Sequence, residues 1–189
     1  MVQNGNLWCR GSNAGPVQCH EKGAPTTMPP PPPPATLREC RRSDVIAVRR
    51  LIHETIDASY TGVYPSRALQ SFREFHSDDS IAKRMKTGTV LVLEREGEIV
   101  ATGSLVGNEI CGVFVRASCQ RCGYGRVVMV ELERRAKANG CATVELSVSL
   151  PSRAFYESLG YEITDECSMD VGEGQRLDYW RGRKRLDTA

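Results

Sequence analysis

The chain has 189 residues, with 25 basic and 23 acidic side chains and a net charge of +2. That balance gives no global field to draw a nucleic acid, and no stretch approaches the roughly 20 apolar residues of a membrane span. The first residues show neither the basic and apolar regions of a secretory signal nor an Arg-rich amphipathic transit peptide, which sets a cytoplasmic expectation.

Residues 1–35 are rich in Asn, Gly, Ser, Gln and Pro, with six consecutive prolines from Pro29 to Pro34. Such a stretch cannot bury enough apolar surface to offset the entropy of ordering it, so it reads as a disordered tail with a stiff polyproline stub. A ligand for a proline-recognising domain is the functional alternative. Residues 36–189 read as one domain.

Thr36 to Cys40 reads as a first strand. Ser43 and Asp44 offer a capping start to a helix whose Val45, Val48, Ile52 and Ile56 form one stripe. The chain loosens between Ser59 and Pro65. Arg67–Phe75 and Asp78–Lys86 then read as one broken helix or two short ones; Asp78 and Asp79 near the start of the second, and Lys83, Arg84 and Lys86 near its end, suit the helix dipole. Thr89–Glu94 and Ile99–Val106 make a hairpin.

The stretch from Ile110 to Gly140 organises the rest. Cys111–Val115 is a short apolar run suited to a buried strand, and Val128, Met129, Leu132 and Ala136 recur at helical spacing. Between them lies Gln120-Arg121-Cys122-Gly123-Tyr124-Gly125. Glycines at a strand-to-helix junction let the backbone turn sharply and approach a ligand, and the first N–H groups of a helix lack partners within it, so they can receive a phosphate. The match to a dinucleotide loop is poor, because Val128 stands where a third small residue belongs, and the Gly-Lys-Ser/Thr of a P-loop is absent. Thr143–Leu150 alternates strictly between apolar and polar, a strand. A short helix from Ser152 to Gly160 follows. Glu162–Val171 and Arg176–Arg185 form a closing hairpin with Leu177, Tyr179 and Leu186 inward, and its basic end fits a charge-guarded edge strand.

The eight cysteines, Cys9, Cys19, Cys40, Cys111, Cys119, Cys122, Cys141 and Cys167, have no framework spacing, which fits reduced thiols. Cys119-x-x-Cys122 lacks a second Cys/His pair at ligand spacing, so no metal is expected.

Two motifs together resemble the GNAT superfamily of acetyl-CoA-dependent N-acetyltransferases. Gln120-x-x-Gly123-x-Gly125 is similar to that family's Arg/Gln-x-x-Gly-x-Gly/Ala, and Phe155-Tyr156-Glu157-Ser158-Leu159-Gly160-Tyr161 to its aromatic-Tyr-Glu-x-x-Gly-aromatic ending. The resemblance implies an α/β (α+β) fold with a mixed, mostly antiparallel sheet, a parallel strand-helix-strand unit splayed around the cofactor, and helices on both faces. It implies acetyl-CoA as donor and a small-molecule or peptide amine as acceptor, with no nucleic acid or membrane partner; a homodimer stays open.

Acetyl transfer to an amine needs a base, because a Lys-like amine has a pKa of ~10.4, and an acid for the departing thiolate. The resemblance places the pantetheine and thioester carbonyl on backbone groups of Val113, Phe114 and Val115. It places the pyrophosphate on the N–H groups of Arg121, Cys122, Gly123, Tyr124, Gly125 and Arg126, with the Gln120 side chain ordering the loop. Tyr156 falls where the family has its general acid. Glu109 and His76 are the two candidate bases. Ser149 and Ser152 stand near the point where many members carry a cofactor-touching Asn. The alternatives are a non-catalytic acyl-CoA-binding sensor or interaction module, and a nucleic-acid-binding domain using the basic closing hairpin.

Overall fold

In this computed structural model, residues 34–186 are described. The tail expected over residues 1–35 lies outside them except for its last two residues, and Ala35 already packs against the core.

The elements are β1 (Thr36–Glu39), α1 (Val45–Tyr60), α2 (Ser66–Phe75), α3 (Asp78–Thr87), β2 (Thr89–Arg95), β3 (Glu98–Val106), β4 (Glu109–Val115), α4 (Tyr124–Ala138), β5 (Thr143–Ser149), α5 (Arg153–Glu157), β6 (Glu162–Gly172) and β7 (Gln175–Arg185). The region expected as one broken helix or two is two. Ser77 ends the gap between them, its Oγ accepting the Ser80 N–H at 3.3 Å as an N-cap of α3. At the start of α1 the cap differs from expectation. The Asp44 carboxylate accepts from the Arg41 N–H at 2.7 Å and pairs with Arg38 at 2.6 Å, so it closes the short turn before the helix rather than the first turn of α1. Arg38 also reaches Glu94 at 2.7 Å, tying β1 to β2.

The seven strands form one sheet in the order β1-β2-β3-β4-β5-β7-β6. Every neighbouring pair is antiparallel except β4–β5. The fold is thus the mixed, mostly antiparallel sheet with one parallel unit that the sequence implied. One placement is corrected: β7, with its basic Arg181–Arg185 end, is not an edge strand but lies between β5 and β6. Its charges are met by neighbours, with Arg183 on Glu162 at 3.1 Å and Lys184 on Glu133 at 2.7 Å.

Helices α1, α2 and α3 cover one face and α4 and α5 the other, giving a core on each side. The strand β2 shows why its sequence is apolar throughout. Val90 and Val92 point into the core under α1, Leu91 and Leu93 into the core under α4, and all four are buried. On α4, Val128, Met129, Leu132 and Ala136 are fully buried as their spacing required, each larger side chain contributing roughly 1.5–3 kcal/mol. Among the described residues no helix is long and apolar enough to cross a membrane.

Candidate active site

The site begins where the sheet comes apart. β4 and β5 pair at a single position, Glu109 with Glu145, beside a 3.0 Å bond from the Glu145 N–H to the Asn108 carbonyl. Beyond it the strands diverge, so the β5-facing backbone of β4 has no strand partner. A bulge adds to the opening. Thr102 pairs with Phe114 and Ser104 with Cys111, so Gly112 and Val113 together oppose Gly103. Gly112 supplies the φ of +62° that this bulge uses.

At the far end of β4 the glycine loop leads into α4. The Gln120 amide donates to the Val115 carbonyl at 3.2 Å and to Ser59 Oγ at 3.4 Å, tying the loop back to the strand and to α1. Arg121 and Gly123 both have positive φ, and Gly123, at +83°, is the N-cap. The first bond of the helix runs from the Val127 N–H to the Gly123 carbonyl at 3.1 Å. The N–H groups of Tyr124, Gly125 and Arg126 therefore have no partner within the helix, and Arg121 and Arg126 are exposed beside them. This donor set fits a diphosphate. Gly125 is bare for a different reason than ligand approach. A Cβ there would stand 3.0 Å from Phe155 Cζ and 3.5 Å from Val115 Cγ2, so the glycine lets α4 pack on α5. The side chain of Tyr124 is buried in the core.

A cavity of about 520 Å³ opens beside the diverging strands. It gathers Glu109, His76, Tyr156, Val113, Phe114, Ser149 and Ser152 from the sequence-derived set. Val115 and the loop residues Gln120 to Arg126 do not line it. Tyr156, on α5, is 7% exposed and packs edge-on against Phe155 and Tyr161. Burial, with Tyr60 and Cys111 nearby, pushes its phenol well above the usual value, so it keeps its proton. Cys111 also lines the cavity, and burial raises its thiol.

The surroundings of His76 disfavour it as a base. Its Nδ1 lies 3.3 Å from both Nη1 and Nη2 of Arg84. Burial and the guanidinium push its pKa down to about 3, so the ring is neutral and its lone pair is already engaged. That state suits a hydrogen-bond donor better than a base near neutral pH. Glu109 remains in place as a carboxylate on the cavity wall.

The two serines are occupied as well. Tyr60 donates to Ser149 Oγ at 2.9 Å, and Ser149 shares a 2.6 Å bond with Ser152. The Ser152 hydroxyl does not cap α5. Beside them, Tyr64 accepts from the Leu150 N–H at 2.7 Å and donates to the Asp178 carbonyl at 3.0 Å. Sequence reasoning missed Arg84 and Gly112 as parts of this site. A glycine inside an apolar strand was the available signal for the bulge; Arg84 gave none.

The family profile described as Acetyltransferase (GNAT) domain matches residues 54–172. The chain is 32% identical over 111 residues to "Probable N-acetyltransferase 14" of Danio rerio, covering 53% of this chain and 39% of that protein, so it spans about two fifths of the length of that relative. Among solved structures, a GCN5-related N-acetyltransferase from Rhodopseudomonas palustris superposes with a TM-score of 0.75 at 18% identity, over 85% of this chain and 99% of that one. The PaiA N-acetyltransferase of Thermoplasma acidophilum, solved in complex with coenzyme A, gives 0.65 at 16% identity over 80% and 99%. At such identities the likeness is one of fold. With the profile spanning the forked strands, the glycine loop and the Tyr156 helix, the chain belongs to the GNAT acetyltransferase family.

Proposed function

We propose that the chain transfers an acetyl group from acetyl-CoA to a primary amine by direct attack. The observation that carries this reading is the shared strand: β4 runs from the cavity holding Tyr156 and Glu109 to the unpaired N–H groups at the start of α4. The coenzyme A complex of the PaiA neighbour supports the choice of donor.

When bound, acetyl-CoA supplies an acetyl thioester activated toward an amine. The N–H groups of Tyr124, Gly125 and Arg126, flanked by Arg121 and Arg126, would hold its diphosphate. The unpaired backbone of β4 around Val113 would hold its amide arm. Glu109 takes the proton that the acceptor ammonium must lose before its nitrogen can attack, directly or through water. The nitrogen–carbon bond forms first, giving a tetrahedral intermediate; the carbon–sulfur bond then breaks, and Tyr156 gives its proton to the departing sulfur. Burial keeps the phenol protonated at neutral and mildly alkaline pH, so the proton is present when the sulfur departs.

Thiol release from acetyl-CoA, followed across amines, polyamines, amino acids and peptide N-termini, tests the reading. Acetyl-CoA binding with no release on any acceptor would favour the non-catalytic acyl-CoA module instead.

A further inference from the structure

A guanidinium lies behind the cavity wall, beside the Cys111 thiol and with no carboxylate against it among the described residues. Arg84 is 9% exposed, and its Nε has no hydrogen-bond partner among those residues. Both Nη atoms face His76 Nδ1, and the ring of Phe75 stands 5.8 Å away. A buried charge is costly unless it is paired, and an aromatic face is a weak substitute for an anion. A guanidinium has only donors, so Nδ1 accepts and the neutral imidazole carries its proton on Nε2. His76 lines the cavity and therefore brings to it an N–H donor with a positive charge behind it, suited to an anionic oxygen. Gly112 leaves the space for this pair: a Cβ there would stand 3.3 Å from His76 Cε1 and 3.4 Å from Arg84 Nη1.

Two other features of the cavity bound the rest of the ligand. Glu109 supplies a counter-charge for an ammonium group. Phe75 and Met169 also line it while 60% and 49% exposed, an apolar lip that an apolar substituent would cover. Resting on the acetyl-transfer reading, we infer that the acceptor is a free α-amino acid with an apolar side chain, its carboxylate received by His76 Nε2–H and Arg84 acting behind it as a positioning residue. The bond changes are those given above, with the α-amine as nucleophile.

The probes are L-leucine, L-leucinamide and 3-methylbutylamine, which is leucine without its carboxylate. Binding is read by calorimetry on the full chain, and transfer by thiol release from acetyl-CoA. A hydrogen bond to a charged group is worth about ten-fold or more, so leucine should bind at least about ten-fold more tightly than either analogue, with a lower KM. Arg84→Met should pull that ratio toward one through the leucine KM, and Arg84→Lys should keep part of it. Equal binding of leucine and 3-methylbutylamine by the wild-type chain, or no leucine binding, overturns the inference without any variant. So does an Arg84→Met chain that weakens all three probes alike, which would mark a structural role. Selective binding without thiol release would keep the amino-acid site and reject acetyl transfer; release without selectivity would do the reverse.

Discussion

Gly125→Val tests the packing of the loop most directly. The missing Cβ of Gly125 points at Phe155, 3.0 Å from Cζ and 3.3 Å from Cε2, with Val115 Cγ2 at 3.5 Å. The Cβ alone forces the ring to give by a few tenths of an ångström, and the two γ-methyls of valine need more. Overpacking of this kind costs roughly 1–3 kcal/mol, against a gain of at most about 0.5 kcal/mol from replacing glycine near a helix start. The net loss is about 1.5 kcal/mol, which lowers Tm by roughly 3–6 °C for a domain of this size. The strain should reach the cavity, because the Phe155 and Tyr156 rings stand 5.1 Å apart. Thermal and urea unfolding of wild type, Gly125→Val, Phe155→Ala and the double variant would measure it. The valine should cost at least about 1 kcal/mol less once the ring is gone. An unchanged Tm with only acetyl-CoA affinity lost would refute this reasoning and show that the α-carbon faces the ligand.

Tyr156→Phe keeps the ring and its packing but removes the proton; turnover should fall roughly 10²- to 10⁴-fold while acetyl-CoA affinity, by calorimetry, stays within a few-fold. Because burial raises the phenol pKa, the wild-type rate should show no fall from this group below about pH 10, and such a fall that vanishes in the variant would contradict the assignment of its environment. At β1, the Arg38 guanidinium holds the Asp44 carboxyl below its usual range. The stabilisation this gives is complete above the unfolded carboxylate pKa of about 3.9 and is lost as pH falls through the lower folded value. Asp44→Asn should therefore lower Tm near pH 6 and flatten its acid dependence below about pH 4, and parallel Tm curves for the two proteins would count against the ion pair.

The fold was legible where burial leaves a periodic trace. Strict alternation in β5, the apolar run of β4 and the 3.6-residue stripe of α4 each marked its element, and the two motifs placed the loop and Tyr156. Misplaced or missed features depended on neighbours distant in sequence. The basic end of β7 looked like an edge because sequence shows which residues carry charge, not which strand lies beside them; Glu162 and Glu133 supply the partners. Lys83, Arg84 and Lys86 formed one basic helix end in the sequence, yet only Arg84 turns inward, because His76 and the bare Gly112 make room for it. His76 looked like a base on its ordinary pKa, and what the sequence did not show is the guanidinium eight residues away that meets its Nδ1. Ser149 and Ser152 stood near the position of the family's cofactor-touching Asn, and their link to Tyr60, 89 residues from Ser149, left no trace in the sequence.

The single β4–β5 pairing has a mechanical consequence. The sheet behaves as two leaves, one of four strands and one of three, joined edge to edge at one residue pair. A strut crosses the opening: Tyr60, on the helix packed against the four-strand leaf, bonds Ser149 at the end of β5 in the three-strand leaf. Amide exchange should accordingly grade along β4, slow near Glu109 and fast toward Val113, with the strut setting how far the leaves breathe apart.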